Sequence, residues 1–438
     1  KAGSVLAMTR AGVAAVAILA LTPAALGADG GRGFAELRLQ GYSGVEGEPV
    51  QTILRFRPEL SADLSDRISL TVGVELGLSQ GRSFENEWQE TLRASALGPV
   101  LEAAQCTWPE EENSFLRVSR AEDYLSVERL YLDWYLPGAD LRLGRQAVLW
   151  GSALVFYPTD PFPEILVLQP WRQRRGVNAL RATLPIGEDH DVQMVVGGND
   201  AFDAARVAVR GTLNVGLADI SLVGAYRQES ESGIVGLDLR GTAVVGYWLE
   251  GSAHFGADNE WFEEVAVGID YSWPVLDGLL VRAQYYRNGA GETHPPALAP
   301  LSDAIEMPTC ATGEVPLGGD VPAESRDPFA PFLRGRDYAM LMLAQTINAD
   351  LTFSAVAIQN LGDGSAVVVP TLSWAATDRW EFAATAQLPF STWGDGGDLH
   401  PGDEDLVLTV PLPGGPIPVD MRGLVPSATF IVWSRLNF

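Results

Sequence analysis

Residues 68–79 read ISLTVGVELGLS, a stretch with an unbroken period of two. Ile68, Leu70, Val72, Val74, Leu76 and Leu78 fall on one face of an extended chain. Ser69, Thr71, Gly73, Glu75, Gly77 and Ser79 fall on the other, as the pleat of a β-strand requires. In a soluble sandwich the aliphatic face would be the inside. Along this chain, however, the opposite faces are rich in Gly, Ser, Thr and Arg, residues that suit a wet lumen, so the aliphatic face is expected to meet lipid.

The same pattern continues in both directions from residue 33 onward. Segments of about ten residues alternate near 33–43, 50–60, 65–80, 122–136, 139–150, 175–186, 189–198, 205–215, 218–229, 233–255, 261–273, 278–288, 335–347, 350–361, 365–376, 379–390 and 425–438. That is an odd number, whereas a single-chain bacterial barrel with both ends on one side has an even one. The segment 233–255 is twice the usual spanning length, and dividing it near Arg240 and Gly241 gives eighteen. The expected fold is an all-β, antiparallel up-and-down transmembrane barrel of eighteen strands, with sixteen as the alternative count.

The connections support this. They are tight near 137–139, 187–189, 216–218, 274–278, 348–350 and 376–379, and long over 81–121, 150–174, 289–334 and 391–424. Short turns on one side and long loops on the other are the outer-membrane pattern. Trp134, Tyr135, Tyr271, Trp273, Trp374 and Trp380 flank tight turns, where an interfacial aromatic girdle belongs.

Composition excludes other classes. The 438 residues are 47% hydrophobic and 20% charged, with a net charge of −26 and Lys1 as the single lysine. Such a chain lacks the clustered cations that neutralise nucleic-acid phosphates. At the start, Arg10 precedes an apolar run from Ala11 to Leu21, then Pro23 and small residues to Ala28. This reads as a signal peptide over residues 1–28, with cleavage after Gly27 and Met8 as a start, followed by the barrel over 29–438. At the other end Phe430, Val432, Ser434, Leu436 and Phe438 share a face. This looks like the closing strand of outer-membrane barrels, whose terminal aromatic the barrel assembly machinery reads.

The segment 141–161, LRLGRQAVLWGSALVFYPTDP, resembles a signature of outer-membrane porin-like proteins, including alginate-export-type porins and related barrels. The matching positions are Gly144, Arg145, Gln146, Trp150, Gly151, Pro158 and Asp160. The resemblance covers about twenty residues and implies a barrel of the porin class without naming a solute.

Enzymatic signatures are absent from the sequence. His190, His254, His294 and His400 read as turn or loop residues with no partner at metal-ligand spacing, and no cofactor is expected. The loops 81–121, 289–334 and 391–423 hold 20 Asp and Glu against 7 Arg. These carboxylates suit divalent cations that bridge to lipopolysaccharide phosphates, or simply solubilise the rim. Cys106 and Cys310 fall in two of these loops; an oxidising compartment permits a disulfide between them, and spacing leaves two unpaired thiols equally open.

On the strands, arginines oppose the aliphatics, and a charge at the lipid midplane costs about 2 to 4 kcal/mol, so they should face the lumen. Two readings compete: a ladder with Glu36, Glu75, Asp133, Asp238 and Asp270 that stiffens the wall, or a track that attracts anions. If the loop after Trp150 folds inward, Arg172, Arg174 and Arg175 join Arg129, Asp133, Arg142, Arg145 and Arg181 at a polar constriction. Arg145 belongs there only if Gly144 introduces a bulge. The expected function is passive diffusion of small hydrophilic solutes, organic anions or acidic saccharides, with a non-transporting scaffold or an enzyme as the alternative.

Overall fold

The computed structural model describes residues 31–45, 47–82, 116–120, 123–162, 173–198, 205–228, 231–256, 261–293, 335–394, 397–400 and 426–438, with a few short pieces of the longer loops. The signal-peptide segment lies outside the described residues.

Eighteen antiparallel strands form one closed ring. They are β1 (Gly31–Ser43), β2 (Val50–Ser65), β3 (Ile68–Gly81), β4 (Asp123–Leu136), β5 (Ala139–Gln146), β6 (Val177–Ile186), β7 (His190–Gly198), β8 (Ala205–Val215), β9 (Ala218–Arg227), β10 (Ser232–Thr242), β11 (Gly246–Phe255), β12 (Trp261–Trp273), β13 (Leu279–Asn288), β14 (Asp337–Thr346), β15 (Leu351–Asn360), β16 (Ser365–Ala375), β17 (Trp380–Ser391) and β18 (Ala428–Asn437). Each pairs with its neighbours in sequence, and β1 closes the ring by pairing with both β2 and β18, Leu37 lying opposite Leu54 and Ser434. Closure leaves no unpaired edge, which is what a sheet immersed in lipid needs.

The burial pattern is that of a soluble protein turned inside out. Glu36, Arg227 and Glu250 are fully buried, while Leu143 is 60% exposed and Leu222 64% exposed. In β3 the polar and glycine positions are the buried ones and the aliphatics face out, as expected. Two belts of exposed aromatics bound this apolar exterior: Trp134, Trp273, Trp374, Trp380 and Phe382 near the short turns, and Tyr226, Phe255, Trp261, Phe390 and Phe430 near the opposite ends. Phe382 stacks between Trp374 and Trp380 at 5.6 and 6.1 Å.

Most boundaries shift by one to three residues from the sequence reading, β2 runs on to Ser65 rather than 60, and two further differences have a visible cause. The long segment divides at a turn over 243–245, not at Arg240 and Gly241, because those two residues keep their ladder with Asp219 and Ala218. Strand β5 ends at Gln146 rather than 150, because the chain there leaves the wall for the lumen. Along the edge it vacates, the short strand Arg117–Arg120 pairs with Asp123–Ser126 of β4.

Candidate functional site: the lumen and its inward loop

The segment after β5 folds into the barrel and is held there by the far wall. Gln146, fully buried, starts the departure by donating to the carbonyls of Arg142, Gly144 and Ala179. Trp150 Nε1 then donates to Gln193 of β7 at 3.3 Å. Gly151 has φ +94, and a Cβ there would lie 2.5 Å from Glu250 Oε1, so the turn requires glycine. It brings the loop onto Glu250 of β11, whose carboxyl group accepts from the Ser152, Ala153 and Thr159 amides at 3.1, 3.0 and 2.8 Å and from Thr159 Oγ1 at 2.6 Å. Ser152 Oγ donates to Asp238 at 3.0 Å, and Leu154 N to Gln284 Oε1 at 2.6 Å.

The tip of the loop is apolar and so is its seat. Ala153, Val155 and Phe156 are buried against Trp248, Ala266, Tyr286, Tyr338, Met340, Val356, Ile358, Val367 and Val369, which point inward from β11–β16. The Phe156 ring lies 4.4 Å from that of Tyr286. Loop and seat bury apolar surface inside an otherwise polar lumen.

The returning limb is clamped by charge. Arg174 pairs with Asp160 and also donates to the Phe162 carbonyl. Arg129 Nη2 donates to the Arg174 carbonyl at 2.8 Å. Burial pushes the Asp160 carboxyl up to about 6 even though Arg174 opposes the shift, desolvation outweighing the ion pair.

Opposite the seat, the wall from β18 through β6 carries the arginines. Glu36 takes Arg55 at 3.3 Å and Arg435 Nε at 3.1 Å; Glu75 takes Arg55 at 2.9 Å and Arg57 at 3.4 Å. Arg142 bonds Asp133 at 2.6 and 3.0 Å and stacks over Tyr131 at 4.1 Å. Arg181 stands opposite Arg142 in register and, among the described residues, has no ion pair. Arg210 reaches Asp238 at 3.6 Å, and Asp270 stands opposite Arg282 in register. The stiffening ladder and the basic track therefore coexist. On β18–β3 Arg55, Arg57 and Arg435 share Glu36 and Glu75, and on β4–β6 Arg129, Arg142 and Arg181 stand against Asp133 and Glu128, so each patch holds one more arginine than carboxylates.

Arg129, Tyr131 and Asp133 share the inner face by alternation, and an irregularity in the β3–β4 register at Gly73 and Val74 inserts Glu128, so that Ser126 and Glu128 are buried on that face as well. Arg174 serves the clamp, Arg175 is exposed beyond it, and Arg172 lies outside the described residues. Arg145 is not at the constriction. The register of β5 with β4 and β6 runs on through Gly144 without a bulge, so Arg145 keeps the outward parity of Leu141 and Leu143 and bonds Asn178 at 3.4 Å. Cys106 lies outside the described residues, Cys310 sits in the two-residue strand Thr309–Cys310, and the acidic loops fall mostly outside them too.

His254 is a strand residue, not a loop residue. It continues the inward series Trp248, Glu250, Ser252 on β11 and stacks on Phe262 at 4.4 Å. Its Nε2 meets both Ser252 Oγ at 2.9 Å and Glu264 Oε2 at 2.6 Å. A nucleophile–base–carboxylate relay uses the two ring nitrogens separately, and this cluster does not.

Sequence reasoning missed the anchors Gln193, Asp238, Glu250 and Gln284 and the apolar seat. The available signal was Ala366-Val367-Val368-Val369 and Ala339-Met340-Leu341-Met342, where apolar residues occupy both faces of a strand and alternation lapses.

No family model and no curated protein matches the sequence. Among solved structures, the chain is similar to a double variant of OccD1 (OprD), with a TM-score of 0.52 at 10% identity over 94% of this chain and 98% of that one. It is also similar to OccK3 (OpdO) of Pseudomonas aeruginosa, with a TM-score of 0.50 at 10% identity over 93% of this chain and 95% of that one. At such identity the likeness concerns architecture. In architecture, the chain is a closed, porin-like β-barrel of eighteen strands.

Proposed function

We propose that this barrel is a channel of the Gram-negative outer membrane that passes small hydrophilic solutes, organic anions or acidic saccharides, by passive diffusion. One observation carries the reading: the inward loop spans the lumen from β6–β9, where Val148, Trp150 and Phe162 pack, to its seat on β11–β16, and Arg142 and Arg181 of β5 and β6 remain on the inner wall beside it. A preformed row of guanidinium groups in a narrowed, water-filled path attracts carboxylates and offers them planar, bidentate hydrogen bonds. The exposed aliphatic band and its aromatic belts contact membrane lipid, and the net negative long loops suit divalent cations shared with lipopolysaccharide. The N-terminal signal sequence over residues 1–28 and handling by the barrel assembly machinery fit this placement. The likeness of residues 141–161 to alginate-export-type porins favours acidic saccharides among the solutes. No reaction is assigned to the His254 cluster, and the barrel acts without catalysis.

The test is single-channel conductance and reversal potential of the refolded protein in a planar bilayer under a salt gradient. Open channels with anion preference are expected. Cation preference would transfer control to the acidic loops, and absence of conductance would refute the channel reading and leave a scaffold.

A further inference from the structure

The short turns differ in chemistry around the ring. The β2–β3 turn is Asp66-Arg67, the β6–β7 turn is Gly187-Glu188-Asp189 and the β16–β17 turn ends in Asp378-Arg379, and all of these charged residues are exposed. Three consecutive turns depart from this. The β8–β9 turn carries Leu217, the β10–β11 turn is Ala243-Val244-Val245, and the β12–β13 turn carries Val275 and Leu276. Among the described residues, Val244 at 85%, Leu217 at 72% and Leu276 at 69% are the three most exposed large apolar side chains. Asp277 is the single charged residue on the three tips.

Nothing inside the protein asks for these residues. Turns favour Gly, Asn and Asp, and Leu276 sits at φ +51, a left-handed conformation that glycine or asparagine adopts more readily than leucine. The turns are tied backbone to backbone: Thr242 N donates to the Leu217 carbonyl at 3.2 Å, Ala243 N to the Val245 carbonyl at 3.0 Å and Gly278 N to the Val275 carbonyl at 2.9 Å. The first of these bonds sets two of the tips side by side. Apolar side chains that neither the turn nor the core requires have their partner outside the barrel.

The surroundings say which partner. Leu213 and Val215 lead down β8 to Leu217, and Ile269, Tyr271 and Trp273 lead down β12 to Val275, all of them exposed on the lipid-facing parity. No charged residue interrupts that outer face between band and tip. A protein partner would be bounded by a polar rim, whereas here the apolar surface is continuous with the surface that meets lipid. Across the ring the aliphatic face stops at Leu64 and Ile68, and Asp66-Arg67 follows.

We propose that the β8–β13 turns are inserted into the acyl region of the periplasmic leaflet, so that phospholipid covers Leu217, Val244, Val245 and Leu276 and the barrel leans toward this side. The inference rests on the outer-membrane placement proposed above and not on conduction. Val244 and Leu276 lie two to three residues past Tyr247 and Trp273, about 6 Å along the axis for strands tilted by about 40°. Eighteen such strands close a ring about 35 Å across, so the lean is about 10°.

The experiment is nitroxide labelling of single cysteines in the full-length barrel, with Cys106 and Cys310 replaced by serine, refolded into phosphatidylethanolamine–phosphatidylglycerol vesicles. Power saturation then compares collision with oxygen, which concentrates in lipid, and with a neutral nickel chelate, which stays in water. The oxygen-to-nickel ratio at Val244→Cys is expected to exceed that at Thr377→Cys, on a polar turn, at least fivefold. Leu217→Cys should repeat the result even if Val244→Cys fails to fold. Leu222→Cys, in the middle of the band, separates the two readings. A label in water at 244 with a label in lipid at 222 would overturn the proposal alone; a label in water at both would refute the membrane placement as well. Shielding of 244 from both reagents would mean that the tips pack on a second copy, and would also overturn it.

Discussion

Replacing Glu250 with alanine should unseat the inward loop while leaving the barrel intact. The carboxyl group accepts four hydrogen bonds, three of them from backbone amides of Ser152, Ala153 and Thr159. Each is worth about 1 kcal/mol net, and amides left without an acceptor cost more than amides that never had one. Water entering the vacated space recovers part of this, so a loss of about 3 kcal/mol is a reasonable figure, which shifts the seated-to-unseated ratio by about two powers of ten. What remains are the Trp150–Gln193, Ser152–Asp238 and Leu154–Gln284 hydrogen bonds, the Arg174 clamp on the returning limb and the packing of Phe156 on Tyr286. Single-channel recording should show a larger mean conductance and slow fluctuation between two levels. Glu250→Gln, which keeps one acceptor oxygen but turns an amide group toward the loop donors, should lie between the two. The ring itself does not depend on this side chain, because β11 keeps its full ladder with β10 and β12, and resistance to unfolding in SDS on warming should be unchanged. A Glu250→Ala channel with the parent's conductance and quiet open level would refute the idea that the loop forms the constriction through this anchor.

Other outcomes follow from the same geometry. Gly151→Ala places a Cβ against Glu250 at φ +94; strain of about 1 to 3 kcal/mol should reproduce the Glu250→Ala fluctuation in recordings. Arg181→Glu puts a carboxylate opposite Arg142, and a Coulomb term of about 1 kcal/mol in a watery lumen should lower the anion-to-cation permeability ratio several-fold in reversal-potential measurements. The Asp160 carboxyl lies at about 6 in the folded loop against a reference of 3.8. Since the folded value is the raised one, proton binding favours the seated loop. The gain grows as pH falls from about 6 toward 3.8 and is absent above 6. Protonation also removes the negative partner of Arg174, so anion preference should rise across that window, and Asp160→Asn should abolish the pH response.

Much of this architecture was legible because a wall one strand thick, with lipid outside and water inside, imposes one rule on every strand. The boundaries of β8 and β12 and the inward parity of Arg129, Asp133, Arg142 and Arg181 follow from that rule. The turn over 243–245 did not, because its tip, Ala243-Val244-Val245, carries none of the Gly, Pro, Asn or Asp residues that mark turns. The inward loop was foreseeable as a possibility, yet its anchors were not. Glu250 and Gln284 lie about 100 and 130 positions from the amides they hold, and in sequence they read as two more inward polar residues. Arg145 shows the opposite case: period two alone gives its side of the wall, and the bulge at Gly144 that would have turned it inward does not occur.

The division of the lumen has a further consequence for whatever crosses it. One side presents the inward loop, whose Leu154 and Tyr157 are half-buried over the apolar seat, and the other presents a wall with an excess of fixed positive charge. A field therefore lies across the direction of travel rather than along it. A solute with a charged end and an oily end would be turned broadside, its head toward Arg142 and Arg181 and its body toward the loop. Passage would then depend on the angle between a molecule's dipole and its long axis as well as on its width, so isomers of equal size and charge should permeate at different rates.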